Sequence, residues 1–185
     1  MTQYASPNSD ITDGGWTNKT GGQGALNSYC RKDSGDSNYI VSVEDLGSTD
    51  TCRFKLQNGD DPYSSADHVV HYRAYAFASF GGPLPLTIQI YDSSTTPDTL
   101  IVTEINSSVS VGSFDDYSFT LTAGEANAIE DYDELEIAFT RGAGMSFDDL
   151  RVSESWIQYP DGGTPPAADT AVAKNQPEAF IMFID

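Results

Sequence analysis

Leu86-Thr87-Ile88-Gln89-Ile90-Tyr91 and Leu135-Glu136-Ile137-Ala138-Phe139-Thr140 alternate large apolar side chains with polar or small ones at a period of two. A strand turns successive side chains to opposite faces, so this pattern predicts strands with one face buried. Tyr117, Phe119 and Leu121, separated by Ser118 and Thr120, repeat it. Further candidate strands lie at 26–31, 38–44, 51–57, 68–78, 99–106 and 147–158. Turn-forming runs separate them: Asp33-Ser34-Gly35-Asp36, Asn58-Gly59-Asp60-Asp61-Pro62, Gly81-Gly82-Pro83 and Ser93-Ser94-Thr95-Thr96-Pro97. One helical turn is predicted at Ala123–Ile129, with Thr122 as cap and Glu125 three positions later. Many short strands with almost no helix predict an all-β fold, a two-sheet antiparallel β-sandwich of jelly-roll-like form.

Composition divides the chain into three zones. Residues 1–24 hold few aliphatics and two glycine clusters, and read as an extended N-terminal arm pinned by Trp16. Residues 25–160 carry the strand pattern and form the sandwich domain. Residues 161–185 read as a linker, Asp161-Gly162-Gly163-Thr164-Pro165-Pro166, followed by a C-terminal anchoring arm. The arm closes on Phe180-Ile181-Met182-Phe183-Ile184, an apolar and β-prone run that is an aggregation hazard in water. Folding back on its own domain would hide it, as would adding a strand to a neighbouring subunit, and the second is the expectation taken here. The expected partner-binding residues are therefore Phe180, Ile181, Phe183 and Ile184, with Trp16 fixing the N-terminal arm.

The 185 residues include 28 acidic and nine basic side chains, a formal charge of −19. Such a surface repels phosphate backbones and anionic lipid, which argues against nucleic-acid and membrane partners. Adaptation to a salty medium is another source of the same charge. No apolar run reaches membrane-spanning length, and Met1-Thr2-Gln3-Tyr4-Ala5 has no signal-peptide character, so a chain made in the cytoplasm is expected. Cys30 and Cys52 are accordingly expected as free thiols.

Catalytic signatures are sparse. His68 and His71 stand three apart on one candidate strand, leave it on opposite faces and cannot share a metal. No nucleophile elbow, P-loop or zinc-protease motif occurs. Acidic pairs such as Asp60-Asp61, Asp115-Asp116 and Asp148-Asp149 arise readily at this composition, and none singles out a glycosidase pair. Asp33-Ser34-Gly35-Asp36-Ser37-Asn38 lacks the frame of a calcium loop and reads as a solvated turn. No enzyme, metal or cofactor is expected. Trp16, Trp156, Tyr63, Tyr72 and Tyr75 are available for stacking on sugars, although Trp156 shares parity with Leu150 and Val152 and reads as core.

Ser9-Asp10-Ile11-Thr12-Asp13-Gly14-Gly15-Trp16-Thr17-Asn18 and Ser37-Asn38-Tyr39-Ile40 resemble the opening of small jelly-roll virion proteins of tailed bacteriophages. Leu121–Ile129 with Tyr132-Asp133-Glu134-Leu135, and Leu150–Trp156 running to Pro160, continue the resemblance over residues 9–160. Cys30-Arg31-Lys32 and the arm 161–185 depart from it. The resemblance implies a capsid decoration or cement protein, homo-oligomeric on the outer head shell, with the major capsid protein and copies of itself as partners. Its alternative is a tail, baseplate or fibre component that binds host-surface carbohydrate. On the cement reading, deleting residues 161–185 abolishes co-sedimentation with particles and leaves the circular dichroism of the sandwich intact; unchanged occupancy would remove the anchoring role.

Overall fold

The computed structural model describes residues 2–42, 50–77, 84–142 and 149–162. Eleven strands are found among them: β1 (Thr2–Ala5), β2 (Pro7–Thr12), β3 (Trp16–Asn18), β4 (Ile40–Ser42), β5 (Thr51–Leu56), β6 (Val69–Phe77), β7 (Leu84–Asp92), β8 (Thr99–Val109), β9 (Asp115–Thr120), β10 (Leu135–Arg141) and β11 (Asp149–Pro160). One sheet runs β3-β4-β11-β6-β9, with β1 also paired to β11, and the other runs β2-β5-β10-β7-β8. Every strand pairing is antiparallel, so the chain is a two-sheet antiparallel β-sandwich of jelly-roll-like form.

The alternation read from the sequence points inward where expected. Leu86, Ile88 and Ile90 on β7 meet Leu135, Ile137 and Phe139 on β10, and all are fully buried. From the opposite sheet come Val70, Tyr72, Ala74 and Ala76 on β6 and Leu150, Val152, Ile157 and Tyr159 on β11. Phe54 of β5 packs on Phe139 with ring centroids 6.5 Å apart. Each such aliphatic or aromatic side chain contributes about 1.5–3 kcal/mol by leaving water.

Residues 2–18, read as an extended arm, are extended but lie inside both sheets: β1 on β11, β2 on β5, β3 on β4. The sequence pattern hid this because β2 is largely exposed and β1 and β3 are only four and three residues long. Between β2 and β3 the chain passes from one sheet to the other through Asp13-Gly14-Gly15-Trp16, where Trp16 N donates to Asp13 O at 2.7 Å. Gly14 has φ +53°, and a Cβ there would lie 1.6 Å from the Thr51 carbonyl oxygen, so only glycine fits.

The candidate strand at 26–31 is a 3-10 turn over Leu26–Tyr29. The Asp10 carboxylate accepts from the backbone N–H of Leu26 (2.8 Å) and Asn27 (2.7 Å), a local partner that competes with ladder pairing. The predicted helical turn is present as α1 (Ala123–Ala126) with both bonds of a capping box. A second 3-10 turn at Tyr132–Glu134 leads into β10. Ile137→Ala is expected to cost about 2–5 kcal/mol, as removal of a fully buried aliphatic group leaves a cavity; urea denaturation checks it, and a loss below 1 kcal/mol would contradict the packing described.

Candidate functional site

β11 fixes the chemistry of the first sheet's outer face. Its register with β6 shifts between Val152 and Glu154, so Ser153 is an extra residue in a β-bulge. Before the bulge Leu150 and Val152 point inward; after it Ser155, Ile157 and Tyr159 do. Trp156 is thereby turned outward, not into the core as its parity with Val152 predicts. A single inserted residue exchanges the two faces of everything beyond it.

The outward rows of β6 and β11 then form three groups along the strands. At one end Trp156 is opposite His71, the rings stacked at 4.8 Å with planes 12° apart. Tyr4 of β1 is 48% exposed, and the Lys32 ammonium lies 5.4 Å from its ring centre and 5.6 Å from that of Trp156. In the middle Arg73 is opposite Glu154. Arg73 donates to both Asp36 carboxylate oxygens (2.6 and 2.9 Å) and pairs with Asp116 at 2.9 Å. The arginine holds the Asp36 carboxyl below the usual aspartate range. Glu154 accepts from the backbone N–H groups of Asp33 (3.2 Å) and Gly35 (3.0 Å), which fastens the 31–38 loop to the bulge. At the far end the Arg151 guanidinium faces the rings of Tyr39, Tyr75 and Phe77 at 5.0–5.2 Å and donates to the Tyr75 hydroxyl. Phe114 meets Tyr75 edge-on at 4.6 Å.

The second sheet's outer face is different. Arg53 covers its aromatic residue Tyr91 at 4.0 Å and is itself paired with Asp98 and Glu136. Lys55 reaches both Glu134 oxygens at 2.8 Å. Glu136 and Ala138 are 5% and 1% exposed, so the central strand of this face offers almost no free surface.

Of the aromatics singled out for stacking, Tyr75 and Trp156 lie on the platform and Tyr63 stands at its end, 53% exposed. Tyr72 is buried against Tyr117, at 5.2 Å. Trp16 is fully enclosed in β3, and its Nε1 donates to Asp50 O at 3.1 Å, so it ties the N-terminal segment to the core from within. Phe180, Ile181, Phe183 and Ile184 lie outside the described residues. Tyr4, Tyr39, His71, Arg73, Phe77, Phe114 and Arg151 were not anticipated. Odd positions of Val69-Val70-His71-Tyr72-Arg73-Ala74-Tyr75-Ala76-Phe77 carry the signal for three of them, His71, Arg73 and Phe77, because the even positions are the core set.

The remaining chemical candidates have structural places. Cys30 and Cys52 are free and buried, and burial pushes both thiols up, away from the reactive thiolate. Asp33 and Asp36 are engaged by protein groups, and no cluster of metal-ligating side chains occurs among the described residues. His68 is buried while His71 faces outward, as their spacing predicts. Its Nδ1 lies 3.0 Å from Ala66 O and its Nε2 lies 2.6 Å from the Tyr132 hydroxyl. The neutral ring satisfies both, with Nδ1–H donating to the carbonyl and Nε2 accepting from tyrosine.

No family model matches the chain, and no curated protein does. Solved structures with some likeness include a family 29 carbohydrate-binding module, at 11% identity over 90% of this chain and 96% of that one, TM-score 0.46. A structure titled for CBM4 matches at 13% identity over 66% and 72%, TM-score 0.40. SGBP-B from a xyloglucan utilization locus of Bacteroides uniformis matches at 10% identity over 83% of this chain and 46% of that one, TM-score 0.43.

Burial holds the pKa of His68 below 6.5, against the raising effect of nearby carbonyls and Asp67. The stability it contributes is full above the unfolded-state value of about 6.5 and is lost as pH falls below it, because the unfolded chain takes the proton more readily. Thermal melts from pH 8 to pH 5 should show a loss for the native protein that His68→Gln reduces; identical slopes would exclude the assignment.

Proposed function

We propose that this chain is a non-catalytic carbohydrate-binding domain whose ligand is a neutral polysaccharide laid along the outward rows of β6 and β11. The observation that carries the reading is the alternation of aromatic and charged groups on that one face. A pyranose ring has an apolar face of C–H groups and a rim of hydroxyls, so it needs flat aromatic surface with polar groups beside it. Trp156, His71 and Tyr4 supply the first at one end of the face, and Tyr75, Tyr39 and Phe77 supply it at the other. Between them, Arg73, Asp36, Asp116 and Glu154 present fixed donors and acceptors. A ring seated at Trp156 displaces the Lys32 ammonium from the aromatic face and keeps it as a donor at its rim.

Val69 to Phe77 spans roughly 26 Å at about 3.3 Å per residue, which favours an extended chain over a small molecule. The charge of −19 disfavours acidic polysaccharides. Each carboxylate on the face is engaged: Asp36 and Asp116 by Arg73, Asp149 by Arg151, Glu154 by backbone amides. Such groups orient hydroxyls and are poorly placed to give up protons, which supports binding without turnover.

In the virion setting suggested by the sequence, this domain would serve host attachment from a tail, baseplate or fibre. The outer-capsid cement reading rests on that resemblance and on tail residues outside the described ones; the geometry of the sandwich adds nothing to it.

Native gels containing hydroxyethylcellulose, galactomannan or xyloglucan test the proposal. At least one polymer should retard the protein, and Trp156→Ala should weaken retardation about tenfold or more, equivalent to roughly 1.4 kcal/mol. Because Trp156 faces outward, the variant keeps its fold. Absence of retardation by all three, or retardation unchanged in the variant, would overturn the reading.

A further inference from the structure

Beyond Trp156 and His71, the next outward pair on β11 and β6 is Gln158 and Val69. This pair forms the floor of a cleft of about 300 Å³, whose other walls are Thr2, Pro160, Tyr63, Ser64 and Asp67. The platform therefore does not stop at Trp156 but runs into a concave end. Ligand sites are typically concave, with a few polar groups that fix orientation. Here the polar groups are Gln158, Ser64 and Asp67, and the apolar ones are Val69, Pro160 and the Tyr63 ring.

Tyr63 stands between this cleft and a second one of about 240 Å³ on its other side, toward Asn127 and Glu130. It is 53% exposed, and its side chain makes no hydrogen bond or ring contact with the described residues. A large aromatic group this exposed has surface left for a ligand. The loop that carries it is nevertheless held in place. Gln3 of β1 donates to Asp60 O at 2.9 Å and accepts from Asp60 N at 3.0 Å. Gly59 leaves room for the Tyr159 hydroxyl, which would lie 1.7 Å from any Cβ at that position. The backbone leading to Tyr63 is thus held before any ligand arrives, which cuts part of the ordering cost of binding.

We propose that this cleft is a further sugar subsite. It takes the one ring of a neutral glycan that extends past Trp156, and Tyr63 supplies its aromatic wall. The proposal rests on the carbohydrate-binding reading of the platform and deepens it by assigning Tyr63 as a determinant of chain-length preference. The ring is assigned the contact by stacking, and the hydroxyl, which has no partner among the described residues, is tested separately by Tyr63→Phe.

The test is isothermal titration with β-linked gluco- and manno-oligosaccharides of two to six rings. Native protein, Tyr63→Ala, Tyr63→Phe and Trp156→Ala are compared. For native protein, affinity rises with length. Tyr63→Ala should lose the final increment, binding the hexaose about tenfold more weakly while changing the shortest ligand that binds by less than twofold. Tyr63→Phe should match native protein. Trp156→Ala should weaken every length. A Tyr63→Ala profile that overlays the native one, with Trp156→Ala still impaired, overturns the subsite and leaves the platform standing. If neither variant differs from native protein, the platform reading falls as well.

Discussion

One inserted residue in one strand orders the first sheet. β11 is twelve residues long and is bonded on one side to β6 and on the other to β4 and β1 in turn, so any change in its register is felt by three neighbours. The bulge at Ser153 lets its first part bury Leu150 and Val152 and its second part bury Ile157 and Tyr159, without a continuous alternation between them. The same irregularity receives the 31–38 loop: Ser34 donates to the Ser153 carbonyl, and Glu154 takes two loop amides. Bulge, loop and outward tryptophan are one device. Without the extra residue, Trp156 would enter the core and Ile157 would meet water.

Electrostatics on the molecule are uneven. A chain with 28 acidic and nine basic residues places Arg53 and Lys55 on one sheet face and Lys32, Arg73 and Arg151 on the other. Each cation there lies against an aromatic ring or a carboxylate, which makes the face polar without giving it a strong sign. Exposed pairs of this kind add little to stability, on the order of 0–1 kcal/mol each. Their effect is to fix side-chain directions, so that donors and acceptors are held in place on this face.

The sandwich itself was legible because β5, β7 and β10 obey strict alternation, and the Thr122–Glu125 capping box announced its helical turn. The N-terminal strands were not legible. β1 and β3 are too short to show a period, and most of β2 is exposed, so their pairing is decided by partners remote in sequence. The platform was half visible. Tyr75 could be placed by parity within β6, whereas Trp156 could not, because a bulge leaves no local mark in the sequence beyond the Ser153-Glu154-Ser155 run that tolerates it. The 3-10 turn at Leu26 depended on Asp10, sixteen residues earlier, and was invisible for the same reason.

The pairing of β1 with the end of β11 has a consequence for how the protein is made. Thr2 lies opposite Pro160, and Ala5 opposite Ile157, so the sheet that bears the platform is bonded across nearly the whole described chain. Such non-local closure raises contact order and slows folding. A ribosome must therefore release β11 before β1 has its partner. Until then, Gln3 cannot hold the Asp60 loop against Pro160, and the outer face of this sheet is among the last parts of the molecule to exist.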